Sequence, residues 1–128
     1  MSAQPIGQIE WRDLTSDQAE NLSEFYAQVV GWQIEPASMG GYNDYCMNTA
    51  DGTTIAGVCH NRGVNADIPT NQWLMYVRVA DVEQSAAKVI ELGGKLCVPC
   101  KPMGNDNFCV IQDPSGAVMA LVSSRDAE

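Results

Sequence analysis

The chain has 128 residues, an apolar fraction of 45% and a charged fraction of 18%, which suits one compact soluble domain with a real core. Seven Lys+Arg against sixteen Asp+Glu leave a formal charge of −9 with no basic cluster, which argues against nucleic acid and anionic membranes as partners. No apolar run approaches the roughly 18 residues of a membrane span. The opening MSAQPIGQ has neither part of a signal peptide, and five cysteines, an odd number, point to reduced thiols in the cytoplasm.

In chain order, Ile9–Leu14 reads as a strand. Thr15-Ser16-Asp17 offers capping side chains, with Gln18 or Glu20 at capping-box spacing. Leu22, Phe25, Tyr26, Val29 and Val30 recur at helical spacing and predict one buried stripe, stopped by Gly31. Trp32-Gln33-Ile34 begins a strand, and 37–44 reads as loop. A hairpin follows: Tyr45–Asn48, the turn Thr49-Ala50-Asp51-Gly52, and Thr53–Val58. Residues 60–72 form a connector rich in Asn, Gly and Pro. Trp73–Val79 is a strand with Leu74, Tyr76 and Arg78 on one face. Asp81 caps a second helix with Val82, Ala86, Val89 and Ile90 inward, ended by Gly93-Gly94. Lys95–Val98 reads as a strand and 99–107 as loop. The last hairpin turns at Asp113-Pro114-Ser115-Gly116, where proline presets φ and glycine accepts a positive one.

The chain looks built twice. Cys46 and Cys109 stand 63 positions apart, Gly52 and Gly116 stand 64 apart, and Asp17 and Asp81 again 64. The reading is a single α+β domain, 1–128, of two tandem βαβββ modules at about 6–60 and 73–124. Each module is a mostly antiparallel sheet with a helix on one face only. The uncovered faces must be covered or enclose a cavity.

Phe25-Tyr26 with Val30-Gly31-Trp32, the stretch Val79–Gly94 and the Asp113–Gly116 turn together resemble the vicinal oxygen chelate superfamily, the glyoxalase/bleomycin-resistance/dioxygenase fold. The resemblance covers essentially the whole chain. Within it the chain is similar to a glyoxalase-like subgroup with tryptophans at the first strands, here Trp11 and Trp73, and Gly116-Ala117 after the last turn. It implies curved sheets around a cavity and, in the metal enzymes, a His, Gln or Glu ligand on the first and last strand of each module. Carried over by position, those sites fall on Trp11, Ala56, Leu74 and Ala120. None of these side chains can bind a hard divalent cation. The expectation is therefore a cavity with no metal and no cofactor, holding a small organic ligand.

The ligand-binding residues expected are Trp11, Asp13, Ala56, Leu74, Tyr76, Arg78 and Ala120, with Tyr42, Tyr45 and Asn107 around the mouth. Asp13 and Arg78 would orient a ligand, or else brace each other. Catalytic candidates are Asp13, His60, Tyr76 and Arg78, His60 being either a general base or a hydrogen-bonded loop residue. Cys97 and Cys100 have redox spacing, but the pair runs off a strand and not into a helix N-terminus, and reads as structural. An enzyme of lyase, isomerase or dioxygenase type and a non-catalytic interaction domain are the alternatives. A homodimer is expected because open sheets leave edges to pair.

Overall fold

In the computed structural model, residues 5–125 are described. Over these residues the architecture is α+β, with eight strands and two α-helices in the order βαβββ–βαβββ. The chain divides into two compact units, Trp11–Trp73 and Leu74 onward, the latter joined by the residues up to Glu10.

The first unit holds β1 (Ile9–Ser16, from Trp11 on), α1 (Ala19–Val30), β2 (Gln33–Ser38), β3 (Asn43–Asn48) and β4 (Thr54–His60). Its strand order is β2-β3-β4-β1, antiparallel except for the β1–β4 pair, where Asp13 lies beside Gly57. The helix N-terminus departs from expectation. Thr15 and Ser16 continue β1 and are buried, so no capping box forms; Ser16 Oγ instead accepts from the Gln18 N–H at 3.1 Å. Helix α1 is also rotated from the predicted stripe. It turns the small residues Ala19 and Ser23 to the sheet, with Leu22 and Tyr26 beside them, while Phe25, Val29 and Val30 are more than half exposed. Small side chains bring the helix close to the sheet, and Tyr26 packs against Trp32 and Trp73, donating nothing to Trp73 but accepting its indole N–H at 3.2 Å. Gly31, at φ 91°, ends the helix as predicted, its N–H donating to Ala27 O.

The second unit holds β5 (Trp73–Arg78, from Leu74 on), α2 (Val82–Glu91), β6 (Lys95–Met103), β7 (Asp106–Gln112) and β8 (Val118–Ser124), ordered β5-β8-β7-β6 with β5 and β8 parallel. Asp81 caps α2 by accepting from Glu83 N–H. Gly93 and Gly94 close it with paired N–H donations to Ile90 O and Val89 O, a Schellman ending. Ile90, expected inward, is exposed. The predicted loop 99–107 is largely strand: β6 runs through Pro99 and Pro102, which an edge strand tolerates because its outer N–H groups have no ladder partner.

The repeat is visible in the turns. Thr49 N–H donates to Thr53 O and Gly52 N–H to Thr49 O; 64 residues later Asp113 N–H donates to Ala117 O and Gly116 N–H to Asp113 O. Asp113 Oδ1 further accepts from Ser115 N–H, Ser115 O–H and Ala117 N–H.

Candidate functional site

The sheet face turned away from α1 is set by strand alternation. Asp13 pairs with Gly57 and Cys46 with Gly57, so Trp11, Asp13, Cys46, Gly57 and Cys59 share it. Gly57 matters here because a Cβ would stand 3.1 Å from Trp11 Cζ2 and 3.5 Å from Asp13 Cβ. The missing side chain is the space that the Trp11 indole uses. Its Nε1–H donates to Asp13 Oδ2 at 3.3 Å, and Asp13 is only 8% exposed. Burial first, then the neighbouring carboxylates, push both thiols up: Glu35 and Asp44 act at Cys46, Asp13 and Asp44 at Cys59. Neither is a ready nucleophile.

Ala56, expected on this face, is on the other one. It packs with Ala19, Met47 and Val58 in the core beneath α1. The register of β4 sits one residue from the expected one, and in a strand one residue reverses the side chain.

His60 ends β4, where Asp44 Oδ1 accepts its backbone N–H at 2.8 Å and lies 3.5 Å from Nδ1. Tyr42 meets the imidazole edge-on at 5.4 Å and Tyr45 flanks it at 6.1 Å. Arg62 stacks on Tyr42 with its guanidinium carbon 4.1 Å from the ring centre. Burial, then Glu20, Asp44 and Glu24, push the Tyr45 hydroxyl up. Protonated His60 would form an ion pair with Asp44. The sequence reading singled out His60 and missed Asp44, which lay at the edge of a segment read as loop.

In the second unit Leu74, Tyr76, Arg78 and Ala120 share the face away from α2, as the alternation predicts, Tyr76 lying beside Ala120. All four are buried. Tyr76 stands 6.5 Å from the Phe108 ring, and Ala120 is fully covered, so side chains fill the room that an alanine leaves. Arg78 does not pair with Asp13. Its Nε and Nη2 donate to the two carboxylate oxygens of Glu10, the latter at 2.9 Å, and Nη1 and Nη2 reach Asp106 at 3.4 Å. The guanidinium fork is thus engaged by two carboxylates, and Arg78 braces Gly7 and Gln8 as well through backbone hydrogen bonds. Nothing in the linear order marked Glu10 and Asp106 as its partners. The opposite face of this unit carries an open apolar groove of about 200 Å³, lined by Met75, Ile111, Val118 and Met119 with Asp113 at its edge.

The donor set does not fit the metal that the superfamily's enzymes carry. Trp11, Leu74, Ala120 and either Ala56 or Gly57 offer no ligand atom to a hard cation. Among the described residues no group of three or more His, Cys, Asp or Glu side chains is arranged to hold a metal.

Comparison with known proteins agrees with the architecture. Residues 13–122 match the family described as Glyoxalase-like domain. A protein named putative glyoxylase CFP32, from Mycobacterium bovis and Mycobacterium tuberculosis, is 26% identical over 117 residues, covering 91% of this chain and 44% of the relative. The anthracycline biosynthesis protein DauV of a Streptomyces species is 25% identical over 126 residues, covering 87% of this chain and 45% of that protein. The chain therefore spans less than half the length of these curated relatives. In fold it is similar to a methylmalonyl-CoA epimerase solved with methylmalonyl-CoA (TM-score 0.54, 17% identity, 97% of this chain and 99% of that one). It is also similar to the methylmalonyl-CoA epimerase of Mycobacterium tuberculosis (TM-score 0.56, 14% identity, 97% and 93%). With the family match spanning most of the chain and the doubled βαβββ order behind it, this protein belongs to the glyoxalase-like family, in the vicinal oxygen chelate superfamily.

Proposed function

We propose that this protein binds a small organic molecule against the Trp11–Asp13 face of its first module, without the metal that serves the superfamily's enzymes. The observation that carries the reading is the Trp11 indole laid over Gly57 beside a buried Asp13 carboxylate. An aromatic wall with one placed acceptor is how ligand sites combine apolar area with orientation. Asp13 selects a ligand with an N–H or O–H donor. Leu74, Tyr76 and Ala120 are core residues of the second unit, and Arg78 holds a strand in place there. The name of the anthracycline-pathway relative supports including hydroxylated and amino-bearing polycyclic aromatics among the molecules screened. The protein acts in the cytoplasm as a homodimer on this reading; no helix of the described residues is long and apolar enough to cross a membrane.

The test is a thermal-shift screen followed by titration of any hit. Trp11→Leu and Asp13→Asn should each weaken binding at least about tenfold, roughly 1.4 kcal/mol, and a chelator should leave affinity and melting temperature unchanged. A hit indifferent to both substitutions would sink the site, and about one tightly bound metal per chain by elemental analysis would overturn the metal-free reading. Sedimentation at tens of micromolar, an order-of-magnitude choice, tests the dimer.

A second reading, an acid–base enzyme of lyase or isomerase type, is favoured by the 3.5 Å approach of Asp44 to His60 Nδ1. In that case His60→Gln abolishes turnover of a bound molecule while leaving its affinity intact.

A further inference from the structure

Sequence spacing draws attention to Cys97 and Cys100, yet the fold gives Cys100 a different neighbour. In the β6–β7 ladder Val98 lies opposite Val110 and Lys101 opposite Phe108, so the bulge between them sets Pro99 and Cys100 against the single residue Cys109. Directly opposed antiparallel residues have Cα atoms about 4.5–5.5 Å apart, inside the range of about 4.4–6.8 Å that a disulfide accepts. Both side chains are on the same face: Cys100 packs against the core cluster of Val82, Ala86, Cys109 and Leu121 beneath α2. The two thiols are in hydrogen-bonding contact, Cys109 S–H donating to Cys100 sulfur. Cys97, by contrast, is exposed and stands outside this cluster.

We propose that Cys100 and Cys109 are a reversible disulfide site, closed by a peroxide, that clamps the edge strand β6 to β7 at its bulge. The two residues divide the work by exposure. Cys100 is half-buried and within reach of a small oxidant, whereas Cys109 is fully buried. Burial and then Glu83 push the Cys100 thiol up, with the Cys109 hydrogen bond offsetting part of that rise. Burial pushes Cys109 further, to about 12, so that Cys100 is the readier of the two to ionise. The Cys100 thiolate attacks one peroxide oxygen, the O–O bond breaks, and the departing oxygen leaves as water after taking up a proton. The resulting sulfenic acid at Cys100 is attacked by Cys109 sulfur, which loses its proton as the S–S bond forms and a second water departs. Two thiols and one hydrogen peroxide thus give one disulfide and two waters, the thiols losing two electrons and the peroxide gaining them.

Glu83, in the first turn of α2, is the brake. Its carboxylate raises both thiols, at Cys100 directly after burial. Removing that charge should therefore speed the first step.

The experiment treats the full chain with hydrogen peroxide, blocks residual thiols by alkylation and maps the peptides without reduction. The expected product links Cys100 to Cys109, melts several degrees above the reduced protein because the closed hairpin loses unfolded-state freedom, and reverts with a dithiol reductant. Cys97→Ser should leave the bond intact, Cys100→Ser should abolish it, and Glu83→Gln should raise its rate of formation several-fold. A Cys97–Cys100 link, a cross-link between chains through Cys97, or a Cys109 that stays alkylatable only after unfolding would each overturn the assignment. The mapping on the unsubstituted chain keeps the test decisive even if a cysteine variant folds poorly.

Discussion

Replacing Arg78 by alanine separates a brace from a binding residue. Arg78 is 8% exposed, and its side chain holds Glu10, whose side chain is 18% exposed, and Asp106, at 33%. The two bonds to Glu10 are charge-assisted and, on a carboxylate still partly exposed, together worth about 1.5–3 kcal/mol. Those to Asp106 are long at 3.4 Å and partly hydrated, and contribute little. Truncation also strips the buried aliphatic stem and leaves the Glu10 charge without its counter-ion. Together these place the loss near 3–5 kcal/mol. For a chain of this size that is a fall in melting temperature of roughly 10–18 °C. The assay is urea unfolding of wild type, Arg78→Ala, Glu10→Gln and the double variant. The double-mutant cycle should return a coupling of about 1.5–3 kcal/mol between Arg78 and Glu10. Ligand affinity, measured on the variant where it remains folded, should be unchanged. A stability loss under about 1 kcal/mol, or a large loss of affinity with stability intact, would refute the brace and return Arg78 to the binding site.

Gly57→Ala puts a methyl 3.1 Å from Trp11 Cζ2, so the indole must give way; we expect a cost of about 1–2 kcal/mol, a shifted tryptophan emission and weaker ligand binding. Unchanged emission would show that Trp11 does not rest on Gly57. Gly94→Ala should be worse than Gly93→Ala: the added carbon would meet Gln112 O at 2.6 Å and Val89 Cγ1 at 2.8 Å, whereas Gly93 has room and only its φ of 96° to oppose a side chain. Equal melting temperatures for the two variants would contradict this. Asp113 is held below its ordinary 3.8 by the Ser115 hydroxyl, then by the Ala117 and Ser115 amides. A depressed folded value means stability that is present above 3.8 and lost as pH falls through the folded value. Wild type should therefore exceed Asp113→Asn in stability at neutral pH, with the gap closing in acid; a gap independent of pH would refute it.

Much of this protein is local and was legible from the chain alone. Turns and helix ends are decided by neighbours within a few residues, so Gly31, Asp81, Gly93-Gly94 and the two turns ending at Gly52 and Gly116 act as the sequence predicts. Their spacing near 64 residues exposes the doubled module, and the alternation of Leu74, Tyr76 and Arg78 gives the buried face of β5. Only the tertiary structure decided the rest. Whether Ala56 or Gly57 faces the Trp11 side depends on the register of β4 against β1 and β3, and a single step reverses it. The rotation of α1 depends on Ala19 and Ser23 fitting closely to the sheet, which hydrophobic periodicity cannot weigh against Phe25 and Val29. The partners of Arg78, His60 and Cys109 lie 68, 16 and 9 positions away in Glu10, Asp44 and Cys100. Such contacts are made by strand pairing across the chain, and chemistry-bearing side chains meet there for reasons that no local pattern carries.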